Sequence, residues 1–251
     1  MSHHTIEVDG LEYAYPDGTV ALRGISFRIT HGESVAVIGA NGAGKSTLLL
    51  HLAGILAPTG GKVRIGGMPV LPRTLPQIRR RVGLIFQDPD DQLFMPTVYE
   101  DVAFGPLNLG LPPDEVEPIV VRALERVGAG HLRGRPSYRL SAGEKRAVAI
   151  AAVIAMSPDV LLLDEPSAGL DPRARRRLIQ LLGDFTHTKI IATHDLDLAW
   201  DLCARTIVLR AGTVAVDGQT AEILGDENLL EECGLEQPLR LQGCSVCKGK
   251  K

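Results

Sequence analysis

The chain has 251 residues and a formal net charge of −3, with 45% hydrophobic and 23% charged residues. This is ordinary globular composition, sufficient for one large domain or for a domain with an attached lobe. The slightly acidic balance argues against a basic nucleic-acid-binding domain, so no nucleic-acid partner is expected. Two short arginine runs, at 79–81 and 175–177, are interpreted as solvated helix faces rather than as binding patches.

No stretch of the sequence has the pattern of a membrane span. The longest apolar run, 147–156, is about half of the roughly 20 residues that a spanning helix needs, and its alanines predict a buried helix. The first residues are polar and lack the pattern of a signal peptide. We therefore expect a cytosolic protein whose association with a membrane goes through partners.

The sequence contains four cysteines. Cys203 falls in a predicted helix and is expected to be a buried thiol. Cys233, Cys244 and Cys247 lie in the C-terminal tail, and the last two have the spacing of half a zinc site. A single CxxC beside lysines is compatible with metal binding or with reduced thiols, and both alternatives stay open.

Strand-like alternation marks the N-terminal part of the chain. Residues 5–30 alternate apolar and polar side chains, and Pro16-Asp17-Gly18 within them has the composition of a turn. The run 34–38 is largely apolar and is followed by a glycine, as expected of a fully buried strand. A glycine-rich loop comes next, and then an apolar-periodic helix from Lys45 to about Leu56.

Further short strands recur along the chain, with helices between most of them. They are predicted at Val82–Phe86, Val160–Leu163, Lys189–Thr193 and Thr206–Leu209. Such alternation predicts a mostly parallel sheet covered on both faces. The stretch 88–158 interrupts the alternation and is predicted to be helical, with capping boxes at Thr97–Glu100 and Ser141–Glu144. The predicted fold is therefore α/β, with a parallel core, an N-terminal antiparallel β subdomain and an inserted helical lobe.

A phosphate-binding loop lies between the buried strand and the first helix. It reads Gly39-Ala40-Asn41-Gly42-Ala43-Gly44-Lys45-Ser46-Thr47 and matches the pattern G-x-x-x-x-G-K-[ST]. Its glycines let backbone N–H groups turn inward around phosphate oxygens, and the helix start adds its positive dipole end. Lys45 is expected to bridge the β- and γ-phosphates, Ser46 to ligate Mg²⁺ and Thr47 to support the α-phosphate. This context predicts a P-loop NTPase rather than a glycine-rich turn that binds nothing.

Two acids form a second, independent signal. Asp164 and Glu165 end the buried strand that starts at Val160. Open α/β sheets place their ligands at the carboxyl ends of the strands. Asp164 therefore suits the Mg²⁺ shell, and Glu165 is a candidate for polarising an attacking water. Without the phosphate-binding loop, Asp164 and Glu165 could also be two solvated acids at the end of a strand.

Five further features accompany these two motifs. They are Gln87 after a strand, the segment Leu140-Ser141-Ala142-Gly143-Glu144, the segment Ser167-Ala168-Gly169-Leu170-Asp171, His194 and Tyr15. Over about residues 5–220 the chain thereby resembles the ATP-binding cassette (ABC) family. In that family the corresponding features are the Q-loop, the signature motif LSGGQ, the D-loop, the switch histidine and an aromatic that stacks on adenine.

Each of these features also has a purely structural interpretation. Tyr15 fits an ordinary strand aromatic, and His194 fits a polar residue at the start of a helix. Ser141 with Glu144, and Asp171 before a proline, would cap helices in any protein. For the capping residues the structural and functional interpretations are compatible, because a capped helix start also favours an anion.

The resemblance implies an ATPase that works with ATP and Mg²⁺. The implied metal ligands are Ser46, Gln87 and Asp164, and the implied catalytic residues are Glu165, His194, Gln87 and Lys45. Glu165 would orient or deprotonate the attacking water, and His194 would stabilise the charge that develops on the γ-phosphate. Preorganised electrostatics would supply most of the rate enhancement.

The resemblance also implies that two cassettes stack head to tail with two ATP molecules between them. Ser141 and Gly143 of one cassette would then reach the γ-phosphate of the ATP held by Lys45 of the second. Glu144 and Asp171 are further implied nucleotide-binding residues. A homodimer is the favoured pair. The implied domains are a core at 1–87 and 159–220, a helical signature subdomain at 88–158, and a short helical extension and tail at 221–251.

The signature segment departs from the family pattern at three positions. Ala142 replaces a glycine, Glu144 replaces the usual glutamine, and Ala147 stands where an arginine is common. The extra methyl of Ala142 would weaken contact with phosphate only slightly. Since Glu165 is present, a working hydrolytic site is expected, and a non-hydrolysing regulatory cassette is the disfavoured alternative.

A longer segment narrows the resemblance further. The segments 13–19, 86–94 and 97–106 resemble the energy-coupling-factor importer ATPases, and within them the cobalt/nickel type called CbiO. In that family the residues after Gln87 meet the coupling helices of a transmembrane T-type subunit. The implied partners are that subunit and substrate-binding membrane subunits, at the cytoplasmic face of the cell membrane. A vitamin importer and a soluble, non-transport cassette are the alternatives, and the chain does not show which cargo is carried.

Overall fold

The structure is a computed structural model and describes residues 6–242. The strands are β1 (Ile6–Ala14), β2 (Val20–Ile29), β3 (Ser34–Ile38), β4 (Gly60–Ile65), β5 (Met68–Pro69), β6 (Val82–Ile85), β7 (Val160–Asp164), β8 (Thr188–Ala192), β9 (Arg205–Arg210) and β10 (Thr213–Gln219). The helices are α1 (Lys45–Leu52), α2 (Leu75–Arg81), α3 (Val98–Asn108), α4 (Pro113–Arg126), α5 (Ala142–Ile154), α6 (Pro172–Gly183), α7 (Leu196–Leu202), α8 (Thr220–Gly225) and α9 (Glu227–Glu232).

The core is a six-stranded sheet in the order β10-β9-β3-β8-β7-β6. All neighbours from β9 to β6 are parallel, and only β10 is antiparallel to its neighbour. Every residue of β7 and β8 is buried, as expected of parallel strands covered by helices on both faces. This confirms the predicted α/β class with a mostly parallel core.

A second sheet, with four antiparallel strands in the order β2-β1-β4-β5, forms the predicted N-terminal β subdomain. The strands β4, β5 and β10 are absent from the sequence prediction. β4 begins with two glycines and β5 is very short, so neither has the apolar alternation of a typical strand. β10 is an edge strand without buried residues, which leaves it a weak hydrophobic pattern.

The first helix is shorter than predicted. The expected end was about Leu56, but α1 ends at Leu52. Gly54 adopts a φ of +66°, a left-handed conformation that stops a helix and that glycine adopts at little cost. The apolar residues after it, which made the helical pattern look longer, belong to the turn that leads to β4.

The helices α3, α4 and α5 form the predicted lobe. They pack around a hydrophobic cluster of their own, which includes Val98, Val102, Val120, Leu124 and Val148. Ser141 makes the full predicted capping box with Glu144. At the start of α3, the Thr97 side chain accepts from the Glu100 N–H, so this half of the predicted box is present. The boundaries of the lobe at 88 and 158 stay a prediction.

The cysteines fall on both sides of the limit of the described chain. Cys203 is buried as predicted, and burial raises the pKa of its thiol to about 11. Cys233 is buried at the end of α9. Cys244 and Cys247 lie outside the described residues. Within residues 6–242 no group of three or more metal-ligating side chains comes together, and no helix is long and apolar enough to cross a membrane.

The sheet brings four sequence motifs to one edge. The neighbouring strands β3, β8, β7 and β6 point the same way, and their carboxyl ends lead into the phosphate loop, His194, the Asp164–Glu165 pair and Gln87. The register pairs Asp164 with Ala192. These side chains therefore lie at the edge where open α/β sheets bind ligands.

The contact between this sheet and the lobe depends on a glycine. A Cβ atom added at Gly83 in β6 would lie 2.3 Å from Cγ1 of Val153 in α5 and 3.1 Å from Pro158. Gly83→Ala should therefore destabilise the protein by about 1–3 kcal/mol through overpacking. In the double variant Gly83→Ala/Val153→Ala the loss should be smaller than the sum of the single losses, as measured by urea unfolding. Additive losses would contradict this packing account.

Candidate nucleotide site

The phosphate loop closes tightly because of its glycines. Gly39 comes so close to β9 that a Cβ atom there would lie 2.4 Å from the Leu209 carbonyl oxygen. Gly44 has a φ of +103°, and a Cβ atom there would lie 2.9 Å from the Ala21 carbonyl oxygen. The loop is thus wedged between the core sheet and the β subdomain. It leads directly into α1, whose N-terminus favours an anion.

Lys45 lies at the centre of this loop. Its side chain is buried, and its ammonium donates to the carbonyl oxygens of Gly39 at 2.7 Å and Ala40 at 3.2 Å. These bonds hold the positive charge against the loop backbone. The arrangement fits the predicted role of Lys45 as a cation for phosphate oxygens.

Asp164 and Ser46 form a polar pair beside the loop. Asp164 is 9% exposed, and its Oδ1 has no hydrogen-bond partner among the described residues. Burial raises the pKa of Asp164, as does the charge of Glu165, whereas a hydrogen bond with Ser46 lowers it. A buried carboxylate oxygen without a donor, next to a hydroxyl, suits a hard divalent cation. Ser46 and Asp164 therefore fit the predicted Mg²⁺ site.

Glu165 is held rigidly by the neighbouring strand. It is 5% exposed, and its N–H donates to the carbonyl oxygen of Ala192 at 2.8 Å. Its Oε2 accepts from the Thr193 hydroxyl at 3.1 Å and from the His194 N–H at 3.2 Å, and it lies 2.8 Å from His194 Nδ1. A φ of +45° is unusual for a residue other than glycine, and such conformations are concentrated at functional sites.

Gln87 lies at the carboxyl end of β6, and its side chain is exposed. Its backbone carbonyl oxygen accepts a hydrogen bond of 2.5 Å from Nη2 of Arg146, a buried residue of α5. Arg146 had no predicted role. A single arginine inside the alanine-rich apolar stretch of α5 was the available signal, because a buried charge needs partners.

Tyr15 makes a contact that the sequence did not predict. Its hydroxyl lies 2.9 Å from Thr47 Oγ1, within hydrogen-bond distance. Its ring also meets the edge of Tyr13, with centroids 5.0 Å apart, and Tyr13 in turn packs on His51. Tyr15 is therefore placed beside the phosphate loop, and its stacking on adenine stays a prediction.

The signature segment lies apart from these residues. Among the described residues, Ser141 makes no hydrogen bond with the phosphate loop. Its hydroxyl bonds Glu144, whose pKa is lowered by the Ser141 N–H and then by the Ser141 hydroxyl. Ser141 and Gly143 line a cleft of about 550 Å³ between α5 and α6, and no residue of the phosphate loop lines it. The chain alone therefore does not bring the signature segment to its own phosphate loop.

The D-loop segment is tied to the helix that follows His194. Asp171 caps α6 by accepting from the N–H groups of Arg173 and Ala174, as predicted. Ser167 donates to Asp195 at 3.0 Å, and Arg175 makes a bidentate ion pair with the same carboxylate. Asp195 had no predicted role. Its position just before a helix, typical of an N-cap, was the missed signal.

The structure thus divides the predicted site residues into two groups. One group converges at the edge of the sheet and consists of Tyr15, Gly39, Asn41, Gly42, Ala43, Gly44, Lys45, Ser46, Thr47, Gln87, Asp164, Glu165 and His194. The other group lines the separate cleft and consists of Ser141, Gly143, Glu144 and Asp171. The first group lies where open α/β sheets bind ligands. The second group is separate from it, and its Ser141 and Asp171 are exposed.

Known proteins share these features. The sequence model described as ABC transporter matches residues 22–168. A putative ABC transporter ATP-binding protein of Geobacter sulfurreducens is 68% identical over 247 residues, which cover 98% of this chain and 99% of that protein. The energy-coupling factor transporter ATP-binding protein EcfA of Methanothermobacter thermautotrophicus is 49% identical over 238 residues, which cover 93% of this chain and 76% of that protein.

A solved structure gives the same result. The structure of cbiO1 from Clostridium perfringens, described as part of the ABC transporter complex cbiONQ, matches with a TM-score of 0.79 and 41% identity. The match covers 90% of this chain and 93% of the other. The resemblance inferred from motifs is therefore confirmed by whole-chain similarity.

The buried His51, in the last turn of α1, should make the stability of the protein depend on pH. His51 is 1% exposed, and burial lowers its pKa, against a hydrogen bond between its Nδ1 and the Thr47 carbonyl oxygen that raises it. As the pH falls, His51 of the unfolded chain is protonated near its ordinary pKa of about 6.5, whereas His51 of the folded chain is protonated only at a lower pH. Stability is fully present above that pH and falls as the pH drops toward the lowered value.

The test compares wild type with His51→Gln by urea unfolding between pH 7.5 and 5.5. The unfolding free energy of the wild type should fall more steeply, by at most about 1.4 kcal/mol more per pH unit. Because all other histidines are common to both proteins, the difference isolates His51. Equal slopes would show that His51 does not contribute.

Proposed function

The chain belongs to the ABC transporter family, as an ATPase coupled to transport, and we propose that it powers an energy-coupling-factor importer of cobalt or nickel ions. The observation that supports hydrolysis is the convergence of the phosphate loop, Asp164, Glu165, His194 and Gln87 at one edge of the sheet. A cassette that only bound nucleotide would not need a buried Glu165 in contact with His194.

Binding of ATP begins at the phosphate loop. Backbone N–H groups of the loop and the start of α1 face the phosphates, and the Lys45 ammonium exchanges its carbonyl partners for β- and γ-phosphate oxygens. The Thr47 hydroxyl gives up its hydrogen bond with the Tyr15 hydroxyl and bonds the α-phosphate instead. Tyr15 is then free to place its ring against the adenine.

Ser46, Asp164 and the side chain of Gln87 would hold Mg²⁺. When bound, the metal ion neutralises charge on the β- and γ-phosphates. The orphan Oδ1 of Asp164 is the atom best suited to this role, since a ligand there would satisfy a buried acceptor. The side chain of Gln87 is exposed in the loop after β6, and from there it would join the Mg²⁺ ligands.

Glu165 and His194 act on the attacking water and the γ-phosphate. The Thr193 hydroxyl and the His194 N–H fix one carboxylate oxygen of Glu165, so the other oxygen is available to orient water or accept its proton. His194 lies 2.8 Å from Glu165 and is exposed on its far side. We propose that it donates to a γ-phosphate oxygen as negative charge develops there.

The pair of cassettes completes the site. The start of α5 offers the Ser141 hydroxyl, backbone N–H groups and a positive dipole end, and these groups lie in a cleft apart from the chain's own phosphate loop. A second cassette stacked head to tail would supply the phosphate that they fit. We therefore propose a homodimer that closes on ATP and opens after hydrolysis.

An exposed aromatic pair supports a membrane partner rather than a soluble role. Phe94 is 63% exposed, and its ring meets Phe104 edge to face with centroids 4.9 Å apart. Leu107, one turn further along α3, is also exposed. Exposed apolar clusters of this kind mark binding surfaces. We propose that a T-type membrane subunit docks here, with substrate-binding membrane subunits beside it, at the cytoplasmic face of the membrane.

The choice of cargo rests on resemblance. The cobalt or nickel assignment is supported by the similarity to cbiO1, whereas the EcfA relative supports only the energy-coupling-factor type, which leaves a vitamin importer as the second candidate. Uptake of radioactive cobalt by cells that express the chain with its genomic neighbours tests this. Vitamin-dependent growth with no metal uptake would favour the second candidate.

Substitution of the proposed water-orienting residue tests hydrolysis. Glu165→Gln removes the negative charge but keeps the volume, so phosphate release should fall by about 100-fold or more while ATP binding is kept. ATP should hold this variant as a dimer, measured by size-exclusion chromatography with light scattering. Glu222→Gln, on the surface of α8, is the control and should match wild type. Near-normal turnover of Glu165→Gln would remove Glu165 from catalysis.

The docking surface is tested separately. Phe94→Ser/Phe104→Ser should abolish co-purification with the membrane subunits, because the exposed apolar contact is lost. Its ATPase rate in solution should stay unchanged, since neither residue lies at the nucleotide site. Leu71→Ser, at another exposed apolar residue, should leave co-purification intact. Retained co-purification of the double variant would refute this docking surface.

A further inference from the structure

Arg146 is a buried cation that no step of the proposed reaction uses. It is 4% exposed and lies in the second turn of α5. Its guanidinium crosses to the Q-loop and donates to two consecutive backbone carbonyl oxygens, that of Phe86 at 2.7 Å and that of Gln87 at 2.5 Å. The planar fork of an arginine is suited to such a two-point grip, which a lysine ammonium provides less well.

The burial of this charge is costly, so its position calls for an explanation. Burial lowers the pKa of Arg146, against the charges of Asp88 and Asp164, and its Nε has no hydrogen-bond partner among the described residues. An apolar side chain would avoid this desolvation cost but would remove the donor to two backbone carbonyl oxygens. Arg146 therefore fixes the position of the backbone at Phe86 and Gln87.

The two hydrogen bonds of Arg146 connect α5 to the segment at Gln87, and by the proposed function these two segments contact different ATP molecules. At one end, Arg146 is part of the same rigid helix as the Ser141 cap, which by the proposed function meets the ATP of the second cassette. At the other end it holds the backbone of Gln87, which serves the ATP of its own cassette. The helix start and the Q-loop are thus connected by one side chain.

We propose that Arg146 is a positioning residue that couples the two nucleotide sites of the cassette pair. When the ATP phosphate of the second cassette binds the start of α5 and shifts it, Arg146 shifts the Gln87 backbone. Both sites then become able to hydrolyse ATP together. This inference rests on the proposed function, because it needs a dimer in which Ser141 faces the other ATP. It predicts positive cooperativity in ATP hydrolysis that depends on the guanidinium.

A matched control lies at the adjacent position. Lys145 also connects α5 to the loop after Gln87, through an ion pair with Asp90 at 2.5 Å, but the Asp90 carboxylate is largely exposed. Exposed ion pairs of this kind contribute little. Lys145→Met should therefore leave both the rate and the cooperativity within about twofold of wild type.

The experiment measures phosphate release by the full chain against ATP concentration for the wild type, Arg146→Met, Arg146→Lys and Lys145→Met. Arg146→Met should lower kcat roughly 3- to 30-fold and bring the Hill coefficient toward 1. Arg146→Lys, which keeps the charge and one donor, should restore part of the cooperativity. A role in stability alone would lower the amount of active protein without changing the Hill coefficient. If Arg146→Met does not fold, Arg146→Gln takes its place with the same expectation.

The outcomes separate this inference from the function on which it rests. No phosphate release by the wild type would refute the proposed function and this inference together. Hydrolysis by the wild type with a Hill coefficient of 1, or a cooperative wild type whose Arg146→Met variant is equally cooperative, would refute the inference alone. Loss of cooperativity in Arg146→Met but not in Lys145→Met would support it.

Discussion

The parallel pairing of β3, β8, β7 and β6 is the constraint on which the site depends. Each strand is fixed to its neighbour by backbone hydrogen bonds, and each ends at the same edge. The bond from the Glu165 N–H to the Ala192 carbonyl oxygen continues this pairing one residue beyond β7. As a result, the acid pair, His194 and the phosphate loop lie at the same edge of the sheet. Sites built at the ends of strands are positioned more precisely than sites built on loops alone.

Buried charge is the second organising feature. Lys45, Arg146, Asp164 and Glu165 are all nearly inaccessible to solvent. Burying charges is costly unless opposite charges and hydrogen bonds compensate for it. Here the compensation is uneven, because Asp164 Oδ1 and Arg146 Nε remain without partners among the described residues. Under the proposed function, these unpaired groups preorganise the site for a polyanion and a cation.

Much of this arrangement could be predicted from the sequence. The phosphate loop and the acid pair each followed a run of buried apolar residues, and that pattern fixed their places on the sheet. The strands β4 and β10 were missed because glycines and exposure erase their hydrophobic pattern. Arg146 and the Tyr15–Thr47 contact were missed because side-chain partners far apart in sequence leave no local signal. Propensity and spacing report on backbone structure, whereas such contacts are decided by the packing of whole elements.

The separation of Ser141 from the phosphate loop supports the central claim that the working unit is a pair. The most direct measurement mixes two inactive variants, Lys45→Met and Gly143→Asp. In a mixed dimer one site combines the intact Lys45 of one chain with the intact Gly143 of the other. We expect the mixture to release phosphate, at a reduced rate because one of the two coupled sites is lost, whereas each variant alone should release none. A mixture no more active than the two variants measured separately would show that each cassette completes its own site, and would contradict the account.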